Sequence, residues 1–134
     1  MKSFEFITEQ KSISQHTEGG SLEGYVMSTG KPNINNYLQS QGATPELINN
    51  ITNRYKTLAL IRNMYVDDDY RGQGIGNDLV SNAIDDAANN GADAIILVSD
   101  TDEDNPFDLT KWYEGFGFEI VGTAGTNPVM VLDL

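Results

Sequence analysis

Residues 64–78 read Met-Tyr-Val-Asp-Asp-Asp-Tyr-Arg-Gly-Gln-Gly-Ile-Gly-Asn-Asp, a glycine-rich turn between two apolar segments. The segment before it, Thr57–Val66, is apolar and partly β-branched, which predicts a buried strand. The segment after it, residues 74–90, repeats apolar residues at helical spacing and predicts an amphipathic helix. The first N–H groups of a helix have no partner within it, and glycines let a ligand approach the backbone. This turn therefore predicts a phosphate site.

The spacing of the glycines narrows the choice of phosphate ligand. A Walker loop ends in Gly-Lys-Ser/Thr, whereas Gly76 is followed here by Asn77 and Asp78. The dinucleotide fingerprint Gly-x-Gly-x-x-Gly would need a glycine at position 77. The spacing that is present is Arg71-x-x-Gly74-x-Gly76.

This spacing resembles the pyrophosphate motif Arg/Gln-x-x-Gly-x-Gly/Ala of the GNAT superfamily of N-acetyltransferases. The strand end at residues 64–66 is similar to the Leu-x-Val of that family. Residues 112–119, Trp-Tyr-Glu-Gly-Phe-Gly-Phe-Glu, resemble its Tyr-Glu-x-x-Gly-Phe signature. The resemblance covers residues 57–134, and the alternative is an ordinary strand–turn–helix followed by a helix of core aromatics.

The resemblance implies an α/β fold of three layers, in which a central mixed sheet is flanked by helices and residues 1–134 form a single domain. The residue pattern adds a buried strand at 94–99, a helix capped by Asn105-Pro106 and ended by Gly117, and closing strands at 118–123 and 129–134. This order of elements predicts a parallel pair at the centre of the sheet. The apolar stripe of the helix at 74–90 comprises Leu79, Val80, Ala83, Ile84, Ala87 and Ala88. That of the helix between Pro106 and Gly117 comprises Leu109, Trp112, Tyr113 and Phe116.

The N-terminal half is atypical for the family. Residues 2–9 alternate apolar and polar side chains and predict a strand, whereas the glycines of residues 12–32 predict mainly loop, with a short strand at 21–29. Residues 33–41 predict a short helix. Thr44-Pro45-Glu46 provides an N-cap, a proline at the first helical position and an acid in the first turn, which predicts a helix from Pro45 to about Tyr55.

The resemblance implies that the chain is an enzyme in which an amine attacks the thioester of acetyl-CoA directly. The absence of cysteine agrees, because no acyl-cysteine carrier can form. By position, the amide of Met64 or Tyr65 would hold the thioester oxygen, and the amides of residues 73–77 would hold the pyrophosphate. The full set implied to bind the cofactor is Met64, Tyr65, Val66, Arg71, Gly72, Gln73, Gly74, Ile75, Gly76, Asn77, Asn105 and Tyr113.

The resemblance assigns the catalytic acid to one residue but leaves the catalytic base open. Tyr113 matches the family tyrosine that protonates the leaving thiolate, and its alternative is a core aromatic. Some relatives carry a glutamate at the position of Leu60, so the base here is left to Asp100, Glu103 or a bound water. Asn105 is either a helix cap or a ligand of the pantetheine.

The two halves of the chain differ strongly in net charge. Residues 1–66 carry six basic and five acidic side chains, whereas residues 67–134 carry two basic and fifteen acidic ones, within a net charge of −12. This excess repels nucleic acid and would attract a small cationic amine or a basic peptide, with solubility alone as the other interpretation. Residues 100–104 (Asp-Thr-Asp-Glu-Asp) are interpreted as a solvated loop or a cation-attracting rim, because the glycine and glutamate of a calcium loop are missing.

The remaining expectations concern metal, location and partners. With no cysteine and the single histidine His16, we expect no metal site. The first ten residues, MKSFEFITEQ, contain no apolar run typical of a signal peptide, and no stretch is long enough to span a membrane, so we expect a cytoplasmic protein. A homodimer is left open. The functional alternative is a catalytically weak or inactive GNAT-like module that binds coenzyme A or a protein partner.

Overall fold

The computed structural model of the chain describes residues 11–29, 32–100 and 108–134. These residues form one seven-stranded sheet that lies between two pairs of helices. The three predicted layers are therefore confirmed. No helix within the described ranges is long and apolar enough to cross a membrane.

The strands run along the chain in an order that differs from their order in the sheet. They are β1 (Lys11–Ser12), β2 (Gln15–Thr17), β3 (Gly20–Ser28), β4 (Thr57–Val66), β5 (Ala94–Val98), β6 (Glu119–Ala124) and β7 (Asn127–Asp133). The helices are α1 (Pro32–Ser40), α2 (Pro45–Arg54), α3 (Ile75–Asn89) and α4 (Leu109–Glu114), with one 3₁₀ turn at Asp68–Tyr70. In the sheet the order is β1-β3-β4-β5-β7-β6, and β2 also pairs with β3. Among the described strands, β4 and β5 alone run parallel, as predicted.

The central strand buries side chains on both faces of the sheet. Ala59 and Ile61 pack in the core formed with α3 and α4, whereas Leu58 and Leu60 pack in the core formed with α1 and α2. All four are at most 4% exposed. This period of two explains why the segment reads as a continuous apolar run. From Arg62 onward the strand is exposed or half-buried, so the prediction of a wholly buried strand holds only for its first half.

The N-terminal half contains more strand than its glycines predict. Residues 12–32 were expected to be mainly loop, but β1 and β2 both pair antiparallel with β3 in that region. The turn between β2 and β3 contains Gly19 at φ 87°. The short strand at 21–29 and the helix at 33–41 are confirmed as β3 and α1. The strand predicted at residues 2–9 lies outside the described residues.

Helices α2 and α3 follow their predicted signals closely. The Thr44 side chain accepts a hydrogen bond from the N–H of Leu47 and caps α2, whose first residue is Pro45. Helix α3 begins one residue after Gly74 and buries its predicted stripe, except that Ile84 is half-buried and Ala88 is exposed. The chain leaves α3 through Gly91 at φ 83°, as expected for a helix C-terminus.

Helix α4 begins later than predicted. Its N-cap is Asp108, whose carboxylate accepts a hydrogen bond from the N–H of Lys111 at 3.0 Å, and its first residue is Leu109. An aspartate at this position satisfies one of the free amides of the first turn. Asn105 and Pro106, which were expected to cap this helix, lie outside the described residues.

The carboxylate of Asp93 links β4 and β5 at the end of the parallel pair where both strands begin, which we call its closed end. Oδ2 of Asp93, just before β5, accepts hydrogen bonds from the N–H groups of Lys56 at 3.0 Å and Thr57 at 3.1 Å, at the start of β4. In return, the Asp93 N–H donates to the carbonyl of Thr57 at 2.8 Å. These bonds set the two strands in register where they begin.

We expect Asp93→Ala to lower the free energy of unfolding by about 1–3 kcal/mol, because two backbone donors lose their acceptor. Asp93→Asn is the matched control, since its amide oxygen still accepts, and it should lose less than half as much. Urea denaturation followed by circular dichroism measures both values. Equal losses for the two variants would show that the carboxylate's charge, and not its acceptor oxygen, holds the strands.

Candidate functional site

A gap opens in the middle of the sheet where β4 and β5 separate. The two strands pair through only three residue pairs, from Leu58–Ala94 to Leu60–Ile96. Beyond these, β4 continues to Val66 paired with β3 alone, and β5 continues to Val98 paired with β7 alone. Within the described part of the chain, the facing edges of both strands therefore have no strand partner at their carboxyl ends.

A bulge in β4 directs particular backbone groups into this gap. In the β3–β4 ladder, Glu23 is opposite Asn63 but Gly24 is opposite Ile61, so Arg62 is the extra residue. The N–H of Asp67 donates to the carbonyl of Gly19 at 2.7 Å, which marks a hydrogen-bonded pair. Because bonded and non-bonded pairs alternate along an antiparallel ladder, the amides of Met64 and Val66 face away from β3 and toward the gap.

The mouth of α3 presents further free amides beside the gap. Gly74 is the N-cap at φ 81°, and no side chain caps this end of the helix. The N–H of Asp78 donates to the carbonyl of Gly74 at 3.0 Å, so the amides of residues 75–77 precede the first bond within the helix. A Cβ at Gly74 would meet nothing within 4 Å, so glycine is favoured here by its backbone conformation and not by lack of space.

The glycine loop carries one arginine whose charge is already partly satisfied. Arg71 is exposed and pairs with Asp68 at 3.2 Å, and its Nε donates to the carbonyl of Val66 at 3.4 Å. Gln73 donates from its side chain to the carbonyl of Asp69 at 3.3 Å. An anion held in this loop would therefore depend mainly on backbone amides and the helix dipole.

Helix α4 forms the wall of the gap opposite the glycine loop. Tyr113 is 5% exposed and packs edge-on against Trp112, with ring centroids 5.1 Å apart, and against Phe118, at 5.7 Å. The Trp112 ring also approaches Gly76, where a Cβ would lie 3.4 Å away. Burial raises the pKa of Tyr113 to about 12, and the neighbouring Tyr37 phenol adds to the increase. Tyr113 therefore keeps its proton at neutral pH.

The opposite face of the sheet contributes polar side chains, of which only Asp100 was predicted from the sequence. Glu23 and Asn63 form a register pair at the level of the bulge, and Tyr37 of α1 donates to the carbonyl of Arg62 at 3.4 Å. Burial raises the pKa of Tyr37, and the nearby Arg62 guanidinium opposes this increase. The Asp100 carboxylate raises the same pKa, which places Asp100 near this group from the end of β5.

Together these surfaces line one open cleft of about 1230 Å³. It brings together most of the predicted site residues, namely Met64, Tyr65, Val66, Arg71, Gly72, Gly74, Ile75, Gly76, Asn77, Asp100 and Tyr113. Gln73 does not line it, and Asn105 and Glu103 lie outside the described residues. Leu60, at the position where some relatives carry a glutamate, is fully buried. Glu23, Tyr37, Arg62 and Asn127 line the cleft as well and were not predicted.

The described residues contain no group of three acidic or histidine side chains that could hold a metal ion. The described residues of the cleft offer backbone amides, phenols and carboxylates on either side of a split in the sheet. Such a site can bind an anionic group at the helix mouth and polarise a carbonyl group in the gap.

Comparison with protein families identifies the central part of the chain. Residues 40–120, more than half of the 134 residues, match the acetyltransferase (GNAT) domain family. This range runs from the end of α1 through the glycine loop to the start of β6. A comparison with curated protein sequences finds no match.

Solved structures share the fold at low sequence identity. Arabidopsis thaliana Naa50 in complex with a bisubstrate analogue, CoA-Ac-MVNAL, is 19% identical with a TM-score of 0.55 over 86% of this chain. Drosophila melanogaster polyamine N-acetyltransferase is 8% identical with a TM-score of 0.58, also over 86% of this chain. Mosquito arylalkylamine N-acetyltransferase like 5b is 14% identical with a TM-score of 0.59 over the same share. The chain spans 65%, 69% and 68% of these proteins, respectively.

The raised pKa of Tyr113 predicts how stability depends on alkaline pH. A folded-state pKa of about 12, against 10 for an ordinary tyrosine, means that the native state holds a proton that the unfolded state has lost. The stabilisation is complete below pH 10 and disappears as pH rises through 12. Over that range the free energy of unfolding should fall by up to about 2–3 kcal/mol through this group.

As pH rises from 9 to 11, the free energy of unfolding of Tyr113→Phe should fall less than that of the wild type. Denaturant titrations of the two proteins at fixed ionic strength measure the difference. Parallel curves over this range would mean that the phenol is not held in its neutral form by burial.

Proposed function

This chain belongs to the GNAT acetyltransferase family, and from that membership we propose that it transfers an acetyl group from acetyl-CoA directly to an amine, carried by a small cationic molecule or a basic peptide. The observation that carries this proposal is the split between β4 and β5, with free amides on β4 and at the adjoining mouth of α3. An acyl thioester and a diphosphate need these two kinds of donor at neighbouring positions.

The residues present fit coenzyme A at its anionic end. The space around Gly72 and Gly74 is open, since a Cβ at either would meet no atom within 4 Å. The amides of residues 74–77 would hold the diphosphate, with the positive end of the α3 dipole behind them. Arg71 would contribute once it is released from Asp68. The exposed acids Asp68 and Asp78 oppose this binding, so the backbone amides carry most of it.

Acetyl-CoA supplies the acetyl group as a thioester when it is bound, and the β4 backbone would orient it. The amide of Met64 would donate to the thioester oxygen, on which negative charge develops as the amine nitrogen attacks the carbonyl carbon and the carbon–sulfur bond breaks. The amide of Val66 also faces the gap and would donate to the same acetyl-CoA molecule. Loss of one such donor costs about 3–4 kcal/mol of the activation barrier.

Tyr113 would stabilise the departing thiolate. Its pKa of about 12 lies well above the value of about 8.5 of an ordinary thiol, so complete proton transfer from the phenol to sulfur is uphill. A hydrogen bond from the phenol to the developing thiolate requires no such transfer and is strong because one partner is charged. The proton that finally neutralises the thiolate then comes from the attacking amine, through the base or through water.

Two carboxylates flank Met64 on the opposite face of the cleft. Glu23 lies on β3 beside Asn63, and Asp100 lies two residues beyond the end of β5, across the gap. We assign to Asp100 the acceptance of the amine proton and to Glu23 the attraction of the ammonium group. Arg62 contributes one opposing charge, which leaves the described side chains on this face with one net negative charge.

Tyr113→Phe should lower kcat at least tenfold while the KM for acetyl-CoA changes less than threefold, because the phenol acts on the leaving group and not on the phosphates. Thiol release with a panel of amines measures both constants. Tyr55→Phe is the matched control, since burial also raises the pKa of Tyr55 to about 12 but its hydroxyl bonds Asp133 away from the cleft. Binding of coenzyme A without thiol release from any amine would reject the enzyme in favour of a binding module.

Glu23→Gln and Asp100→Asn should each raise the KM for cationic amines about two- to fivefold, the range expected for exposed charges, and leave that of a neutral amine within twofold. Asp100→Asn should also lower kcat. Asp85→Asn, which removes the same charge from the exposed side of α3, is the control and should change neither constant. Equal effects on cationic and neutral amines would exclude an electrostatic role in acceptor choice.

A further inference from the structure

The turn between β2 and β3 fits closely against the segment that leads into the glycine loop. A Cβ at Gly19 would lie 2.3 Å from Cγ of Tyr70, so the Tyr70 ring rests on bare backbone. The Tyr70 hydroxyl donates to Glu18 at 2.6 Å, and the N–H of Asp67 donates to the carbonyl of Gly19 at 2.7 Å. Three different contacts thus join one turn to residues 67–70.

The same hairpin also holds the helix that follows the loop. A Cβ at Gly20 would lie 2.9 Å from Ile75 and 3.2 Å from Leu79, so β3 approaches the first two turns of α3 closely. Further along, the Gln15 side chain of β2 donates to Asp86 of α3 at 2.5 Å. Both flanks of the glycine loop are therefore attached to residues 15–20.

The loop between these flanks is exposed, and the bonds of its Arg71 and Gln73 side chains reach back to residues 66–69. Residues 71–74 are all exposed, and Gly72 and Gly74 have open space around their Cα atoms. A short loop with fixed ends has fewer conformations to lose when it closes on a ligand, which raises affinity without any additional contact.

We propose that the β2–β3 turn sets the shape of the phosphate-binding loop, with Gly19 and Tyr70 as positioning residues for coenzyme A. This inference rests on the proposed function, because it takes a diphosphate as the ligand of the loop. Gly19 is required because its positive φ and its missing Cβ together let the Tyr70 ring lie flat on the turn. The N-terminal hairpin, which lies outside the matched residues 40–120, thereby becomes part of the cofactor site.

Gly19→Ala should weaken coenzyme A binding at least tenfold, because the new methyl group displaces Tyr70 and the residues that follow it. Gly91→Ala is the matched control: Gly91 has nearly the same φ, 83° against 87°, but a Cβ there meets nothing within 4 Å. It should carry the same backbone strain and change coenzyme A affinity less than twofold. Calorimetric titration gives the affinities, and thermal melts confirm that each variant is folded.

A second variant keeps the test decisive if Gly19→Ala does not fold. Tyr70→Leu removes the ring without adding a group to the turn and should also weaken coenzyme A binding at least tenfold. Tyr70→Phe, which loses only the bond to Glu18, should weaken it two- to threefold.

The donor substrate distinguishes positioning of the loop from general damage. With the acetyl thioester of N-acetylcysteamine, which carries no phosphate, Gly19→Ala and Tyr70→Leu should retain kcat/KM within twofold of the wild type. Equal losses with both donors, or wild-type affinity for coenzyme A in both folded variants, would overturn the inference. If the wild type itself does not bind coenzyme A, the proposed function fails instead.

Discussion

The candidate site depends on the backbone N–H groups of Met64 and Val66, which face a gap within the sheet and not a neighbouring strand. Buried backbone donors are nearly always satisfied, so a strand edge without a partner at the centre of a domain needs a ligand or water. The bulge at Arg62 and the end of pairing after Leu60 create that edge, and α3 begins beside it with its own free amides. Asp93 fixes the closed end of the parallel pair, and β3 and β7 hold the outer edges of β4 and β5. The split is thereby confined to one end of the sheet.

The sequence predicts those parts of the fold whose signals are local. The glycines at 74 and 76, the cap at Thr44 and the apolar run of β4 each report the conformation of their own neighbourhood. The structure confirms the helix start and the cap, and it confirms the strand with burial limited to its first half. Strands β1 and β2 were missed because short, polar edge strands next to glycines carry no period of two. Their pairing is determined by β3 and not by their own residues.

The candidate site divides in the same way. The half that would hold the cofactor is predictable because a helix mouth and a glycine turn are adjacent in the chain. The other half assembles residues distant in sequence: Glu23 from β3, Tyr37 from α1 and Asp100 from the end of β5. Asp100 could be named from its place at the end of a predicted strand, but no local pattern marks Glu23 or Tyr37, since each is an ordinary exposed or half-buried residue until the sheet brings them together. The bulge at Arg62 is equally invisible, because it depends on the register with β3.

The sheet separates two hydrophobic cores, one shared with α3 and α4 and the other with α1 and α2. Ile75 at the mouth of α3 and Tyr113 pack with the first core and Tyr37 packs with the second, so a substitution that repacks one core reaches the other only through the sheet. Under the proposed function, the acceptor side of the cleft could then change in evolution while the side that would hold acetyl-CoA is kept. On the same proposal, substitutions in α1, which contributes Tyr37 to the cleft, would alter the choice of acceptor with little effect on the donor side, which makes this helix the natural place to diversify a combinatorial library.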